Sequence, residues 1–224
     1  MSKIDDIFRA LLEINRRGQP KNPIIDITKL ERKPINTGEY IDSLTGLHNE
    51  IWFEEELNRR MVDSNRLGTN LWLLIVDFDF FKTINIEYGR SSGNQVLKMF
   101  GEMVAQEEFP FARIGGEEFA QIFPKDLGLD EIQRTVSKYS LNFKDKTKEL
   151  LGQEVSVSMG ITKMNFGEIP SNLINRAEAA VFRSKKQGRD RSTLLEDHPI
   201  TGTYVTVPYL TREQLSSNIT QNSV

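Results

Sequence analysis

The sequence predicts an α+β domain in which an antiparallel sheet, ferredoxin-like or palm-type, is covered by helices. Three observations carry that expectation. Leu71-Trp-Leu-Leu-Ile-Val76 is an unbroken apolar run, the mark of a strand buried on both faces, and it ends abruptly in Asp77-Phe-Asp79. Phe111-Ala-Arg-Ile-Gly-Gly-Glu-Glu-Phe-Ala-Gln-Ile-Phe123 sets two short apolar runs about a Gly-Gly pair and two carboxylates, which predicts a β-hairpin with acid at its tip. The order strand, helices, hairpin, helix, strand, helix then leaves few topologies, and in these the first strand and the hairpin lie side by side at the centre.

Taken in order, residues 3–17 put Ile4, Ile7, Phe8, Leu11, Leu12 and Ile14 largely on one helical face, a short amphipathic helix that serves as a lid or a dimer handle. Gly18 to Tyr40 holds Pro20, Pro23, Pro34 and Gly38 among mixed charges and is expected to be a linker, so that 1–41 precedes the main domain. Asp42 to Glu50 predicts a turn feeding a helix to about Arg66, with Trp52, Phe53, Leu57 and Met61 facing inward. Past Asp79, a helical region to about Gln106 is interrupted at Tyr88-Gly-Arg-Ser-Ser-Gly93. In the hairpin, Gly115 and Gly116 are expected to supply positive-φ backbone. A helix from Asp130 to about Lys146, an alternating strand over 154–162 and a helix over 169–187 complete a domain of 42–196. Residues 197–224, with Pro199, Gly202, Pro208 and a polar end, read as a loosely packed tail.

Composition bounds the function. A net charge of −3 is wrong for a basic nucleic-acid platform, so no nucleic-acid partner is expected and a nucleotide would be held by a few placed cations. The absence of cysteine excludes disulfides and thiolate metal sites. No apolar run approaches 18 residues and the N-terminus lacks a signal-peptide pattern, so the expectation is a cytoplasmic protein without a membrane partner.

Carboxylates where a buried strand emerges, opposite a hairpin tip with more carboxylates, make an oxygen-rich site suited to Mg²⁺ and phosphates. Taken alone, Gly-Gly-Glu-Glu is more often a solvated acidic turn, and the second acidic cluster at Asp77-Phe-Asp79 is what overturns that reading. Arg183, Lys185, Lys186 and Arg189 gather at the exit of the last helix, where cations are favoured and can meet phosphates.

These motifs resemble the GGDEF domains, the diguanylate cyclases, in their Gly-Gly-Glu-Glu-Phe form. Asp42-x-Leu-Thr-Gly-Leu-x-Asn49, Asp77-Phe-Asp-Phe-Phe-Lys82 with Ile84-Asn85, Arg113-Ile-Gly-Gly-Glu-Glu-Phe119, Val157-Ser-Met-Gly160 and Ala177 to Lys185 with Gly188-Arg189 stand in the family's order and spacing. The resemblance implies a nucleotide-cyclase-like sheet and the condensation of two nucleoside triphosphates, one on each subunit of a homodimer, into a cyclic dinucleotide. It implies Mg²⁺ or Mn²⁺ held by Asp77, the Phe78 carbonyl and Glu117, with Glu118 an uncertain neighbour. Phe80, Phe81 and Lys82 would meet the terminal phosphates with backbone N–H groups and a cation, and Lys185 and Arg189 would close over them. Asn85 and Asn94 stand at the base-reading positions. Asp42 and Arg113 read more naturally as a structural ion pair.

The departures from the pattern are Asn49-Glu50, Ile86, Gly89-Arg90 and Asn94, where the family carries a carboxylate. The stretch between Leu97 and Arg113 is shorter than usual, and Gln106 and Phe109 stand where an Arg-x-x-Asp motif would lie. Three readings stay open: a synthase with GTP as main substrate and ATP or a mixed product as the alternative, a degenerate nucleotide-binding signalling module, and a different palm-type enzyme.

Overall fold

The computed structural model describes residues 37–196 and 203–217; the amphipathic pattern of 3–17 and most of the linker lie outside them. Strand β1 (His48–Asn49) leads into helix α1 (Glu50–Leu67), whose first turn is closed by Asn49 accepting from the Trp52 N–H and whose last is closed by Gly68 at φ 67°. Strand β2 (Trp72–Phe78) follows and is buried along its whole length. Helices α2 (Phe81–Glu87) and α3 (Gly89–Val104) come next. Only Tyr88 separates them, because Gly89 takes φ 83° and the chain returns at once to helix instead of looping to Gly93.

The hairpin is β3 (Phe111–Arg113) and β4 (Glu118–Phe123). Helix α4 (Leu129–Leu151), strand β5 (Val157–Lys163), helix α5 (Pro170–Lys186) and strand β6 (Arg191–Glu196) complete the expected plan. The strand order is β1-β3-β4-β2-β5-β6, with β7 (Thr203–Val207) beyond β6. The central pairs β3/β4, β4/β2 and β2/β5 are antiparallel as expected, whereas β1/β3 and β5/β6 are parallel, so the sheet is mixed.

The expectation of a loose tail at 197–224 fails over 203–217. Thr203-Tyr-Val-Thr-Val207 consists of four β-branched residues and one aromatic, pairs antiparallel with β6 from Thr203 to Val207, and is followed by helix α6 (Arg212–Ser217). The polar composition around this short run conceals it from a compositional reading.

The two faces of β2 build two cores. Trp72, Leu74, Val76 and Phe78 pack with Val96 and Phe100 of α3 and Val136 and Phe143 of α4. Leu71, Leu73 and Ile75 pack with Phe53, Leu57 and Met61 of α1 and Leu173, Ala177 and Val181 of α5. By alternation Asp77 and Asp79 continue the second face, toward α5. Gly160 on β5 allows that helix to approach: a Cβ there would lie 2.3 Å from the Ala177 carbonyl oxygen and 2.5 Å from the Val181 nitrogen.

Candidate active site

Asp77 sits at the end of β2, paired in register with Glu118 of β4 and Ser158 of β5. The Phe78 N–H donates to the Glu117 carbonyl at 3.3 Å, which ties the hairpin tip to the strand end. The carboxylate is 3% exposed, its Oδ2 accepts from Lys185 Nζ at 2.5 Å, and its Oδ1 is buried with no hydrogen-bond partner. Burial pushes Asp77 up to about 6 against the pull of Lys185, and the charges of Glu118 and Glu117 push the same way. A buried, half-satisfied carboxylate with a cation against one oxygen and none against the other is a place where a second cation would be stabilised. Among the described residues no three acidic or imidazole side chains cluster tightly enough to cage an ion by themselves. The donors on offer are therefore the carboxylates of Asp77 and the hairpin tip together with backbone oxygen.

The tip is braced from below. Ile114 N–H donates to the Glu118 carbonyl at 2.9 Å, and Arg113 donates to the Gly116 carbonyl from Nε at 3.1 Å and from Nη2 at 2.7 Å. Arg113 Nη1 also lies 3.2 Å from both oxygens of Asp42, which accepts in turn from the Thr45 N–H and hydroxyl. The Asp42–Arg113 pair thus shapes the turn. Neither Gly115 nor Gly116 adopts positive φ, contrary to expectation. Gly115 gives the Glu118 side chain room to lie over the turn: a Cβ there would fall 2.4 Å from Glu118 Oε2 and would displace that carboxylate. Glu117 lies in the turn and Glu118 opens the strand, and it is Glu118 that the register sets opposite Asp77.

The cations converge on the other side of Asp77. Phe80 takes φ 56° as it enters α2, leaving the first-turn N–H groups of Phe81 and Lys82 without helical acceptors. The Phe81 ring itself is buried in the core, while Phe80 is 62% exposed. The Arg189 guanidinium lies 4.5 Å from the centre of the Phe80 ring, with Nε 3.7 Å from Asp79 Oδ1. Lys82 is exposed and makes no ion pair among the described residues. So the structure brings Lys185 and Arg189 to the strand end and leaves Lys82 at its rim.

Asn85 lies half-buried on α2 against α3: a Cβ on Gly93 would fall 2.0 Å from its Oδ1. Asn94 is the next residue of α3 and is exposed. Gly93 thus marks where α3 meets Asn85, with Asn94 one residue further along the same helix.

Sequence reasoning missed Asp79 as an anchor. It accepts from the hydroxyls of Ser156 and Ser158, both at 2.7 Å, and from the Asp190 N–H at 3.1 Å. Its spacing of two from Asp77 along a strand was the available signal. Glu178 on α5 was missed as well; burial raises its carboxyl above the ordinary range and Glu118 adds to this. Cavities of about 690 and 540 Å³ lie away from the carboxylates, the first between α4 and the C-terminal segment and the second at the Trp72 end of β2. The carboxylates lie instead at the end of the central strand β2 and the start of β4 beside it.

The motifs and the geometry agree with known proteins. A family model described as "Diguanylate cyclase, GGDEF domain" matches residues 39–191. Diguanylate cyclase DgcP of Pseudomonas aeruginosa is 34% identical over 162 residues, which covers 67% of this chain and 23% of that protein. Response regulator PleD of Caulobacter vibrioides is 30% identical over 159 residues, 66% of this chain and 34% of that protein. The chain thus spans about a quarter to a third of the length of these curated relatives. The crystal structure of the GGDEF domain of DgcB from Caulobacter crescentus, in complex with c-di-GMP, matches with a TM-score of 0.63 at 32% identity, covering 69% of this chain and 95% of that one.

Proposed function

The chain belongs to the GGDEF-domain family of diguanylate cyclases, and on that premise we propose that it condenses two nucleoside triphosphates, GTP foremost, into a cyclic dinucleotide with release of two pyrophosphates. The observation that carries this reading is Asp77: a buried carboxylate with one orphaned oxygen, at a strand end tied to the Glu117 turn and flanked by Lys185 and Arg189.

The residues fit a divalent cation. Asp77 Oδ1 lacks a partner, the acid is held near 6 by burial, and Lys185 already supplies positive charge to Oδ2. Asp77, the Phe78 carbonyl and Glu117 would hold Mg²⁺ or Mn²⁺, with Glu118 beside them. Such an ion lowers the pKa of the attacking 3′-hydroxyl and offsets charge developing on the α-phosphate.

Each transfer forms one O–P bond to an α-phosphorus and breaks one α–β phosphoanhydride, so positioning and charge neutralisation are what the protein supplies. Lys185, Arg189 and Lys82, with the N–H groups of Phe80, Phe81 and Lys82, neutralise the β- and γ-phosphates. Asn85 and Asn94 orient the base. One site holds one triphosphate, so two subunits face each other as a homodimer. A domain of 42–196 extended by the C-terminal strand is the catalytic unit. No helix among the described residues is long and apolar enough to cross a membrane, in keeping with action in the cytoplasm.

Asn94 favours a second reading of the substrate. A carboxylate accepts from both N1–H and N2–H of guanine, whereas an amide presents one acceptor and one donor, the pattern that suits adenine. ATP or a mixed product is then the alternative. Incubation of purified protein with Mg²⁺ and each triphosphate, singly and together, followed by mass analysis, tests both readings. A cyclic dinucleotide is expected; bound nucleotide without product would make the domain a binding module instead.

A further inference from the structure

The turn that carries Arg189 is strained. Gly188, Arg189 and Asp190 take φ of 109°, 63° and 49° in succession, and two of the three have side chains that disfavour this backbone. Such a turn persists only where its surroundings over-determine it. On its inner side the Asp190 N–H donates to Asp79 Oδ2, and the Asp190 carboxylate pairs with Lys144 of α4 at 2.6 Å.

On its outer side lies β7. Thr206 Oγ1 donates to Gln187 Oε1 at 3.0 Å, immediately before the turn, and Ser192 Oγ, two residues after it, donates to the Val207 carbonyl at 2.8 Å. Two residues on, Tyr209 is partly exposed as a residue, yet its hydroxyl end is sunk against β5 and donates to the Val157 carbonyl at 3.0 Å. Burial, with Asp190 and Asp79 close by, pushes that hydroxyl well above its ordinary value. Leu210 N–H donates to Ser137 Oγ at 2.7 Å and Gln133 Nε2 to the Pro208 carbonyl at 3.0 Å, fastening the same segment to α4. Residues 192–217 lie beyond the stretch matched to the family, 39–191.

The geometry points to the C-terminal segment Thr203–Leu210 as a positioning element that clamps the left-handed turn 188–190 and so aims Arg189 at the terminal phosphates of the substrate. Thr206 and Tyr209 are its positioning residues, acting through Arg189 and touching no substrate themselves. This rests on the phosphate role proposed for Arg189. Its consequence is selective: loosening the clamp weakens the hold on β- and γ-phosphates and leaves contacts to the base, sugar and α-phosphate as they were.

The test uses the full chain. Binding of a GTP analogue with a non-cleavable α–β bridge, and of GMP, is measured by calorimetry in the native protein, Tyr209→Ala, Arg189→Ala and the double variant. Tyr209→Ala is expected to weaken the triphosphate analogue about tenfold, leave GMP unchanged, and add nothing in the Arg189→Ala background. Equal losses for both nucleotides, an unchanged loss in the Arg189→Ala background, or no loss at all would overturn the clamp. If Tyr209→Ala does not fold, Thr206→Val, which removes only the Gln187 contact, takes its place. Hydrogen exchange at the Asp190 amide reads the clamp without nucleotide: it quickens in the Tyr209 or Thr206 variant, and unchanged protection contradicts the proposal. Failure of the native chain to bind either nucleotide, with that exchange response intact, would instead count against the proposed function.

Discussion

Asp77→Asn should stabilise the metal-free protein at neutral pH. The acid sits near 6 in the folded chain against an ordinary value of 3.8, a difference of about 2 units and hence about 3 kcal/mol favouring the protonated form. Because the folded value is raised, the sign runs opposite to that of a salt-bridged carboxylate. The contribution to stability is fully present below the unfolded value near 3.8 and is lost as pH rises through about 6. Asparagine fills the same volume without the charge. It forgoes the contact with Lys185, but that side chain is 34% exposed and can turn to water. A net gain of about 2 kcal/mol at pH 7.5 corresponds to roughly 4–8 °C in a chain of this size. Thermal unfolding in chelator at pH 4.5 and 7.5 measures it. The variant's lead should be small at the lower pH and grow at the higher, while Mg²⁺ should raise the melting temperature of the native protein alone. A lead that does not change with pH, or a variant less stable than the native chain at pH 7.5, would refute the argument from burial.

Four further outcomes follow from the same geometry. Glu117→Gln keeps the shape of the turn and should lower turnover on the order of 10³-fold, about 4 kcal/mol, with the circular dichroism spectrum unchanged; near-native turnover would sink its role. Gly160→Ala places a Cβ against the backbone of α5 at Ala177 and Val181 and should cost about 1–3 kcal/mol in urea unfolding, a cost absent if the helix can yield. Micromolar cyclic dinucleotide should leave the initial rate unchanged, because Gln106 is exposed and uncharged and Phe109 packs on Phe123 at 5.7 Å, so no Arg–Asp pair is present to grip a product. Asn94→Asp should raise the preference for GTP over ATP by roughly 10- to 100-fold in competition assays; a native enzyme that already rejects ATP by about 10⁴-fold would mean Asn94 does not face the base.

What the sequence disclosed depended on period and position. The run 71–76 and the alternation about Gly115-Gly116 determine β2 and the hairpin, and their register follows once both faces of β2 must be buried. That register is also what brings Asp77 toward the acidic tip. Gly115 shows the limit of local reasoning, for a Gly-Gly turn suggests unusual backbone torsion, and only the folded chain reveals Glu118 lying over it. Asp79 was hidden differently: its spacing from Asp77 sets it on the same face, but its partners Ser156, Ser158 and Asp190 are far along the chain and that spacing does not name them. The strand Thr203–Val207 was obscured by polar neighbours, and it is stabilised by β6, an edge whose position depends on the rest of the sheet.

Three costly features of this fold meet at one corner. Elsewhere β2 buries apolar side chains on both faces, yet at its end come a buried carboxylate with an orphaned oxygen, a left-handed Phe80 and the left-handed turn at 188–190. Each is locally costly, and each adjoins Asp79 or Asp77. Orphaned buried atoms occur elsewhere too, at His48, Asn58, Trp72 and Ser140, but among the described residues a carboxylate oxygen is orphaned only here, where the left-handed non-glycine residues also lie, as a site held ready for charge requires. On the proposed reading, a triphosphate with its divalent ions would bring both signs of charge to this corner, cation to Asp77 Oδ1 and anion to Lys185 and Arg189. In the free protein Lys185 and Arg189 lean on Asp77 and Asp79, so the groups that would grip phosphate are kept close to their working places by the acids beside them. The same ion pairs that hold this corner together would therefore limit how far its cations must move when substrate arrives.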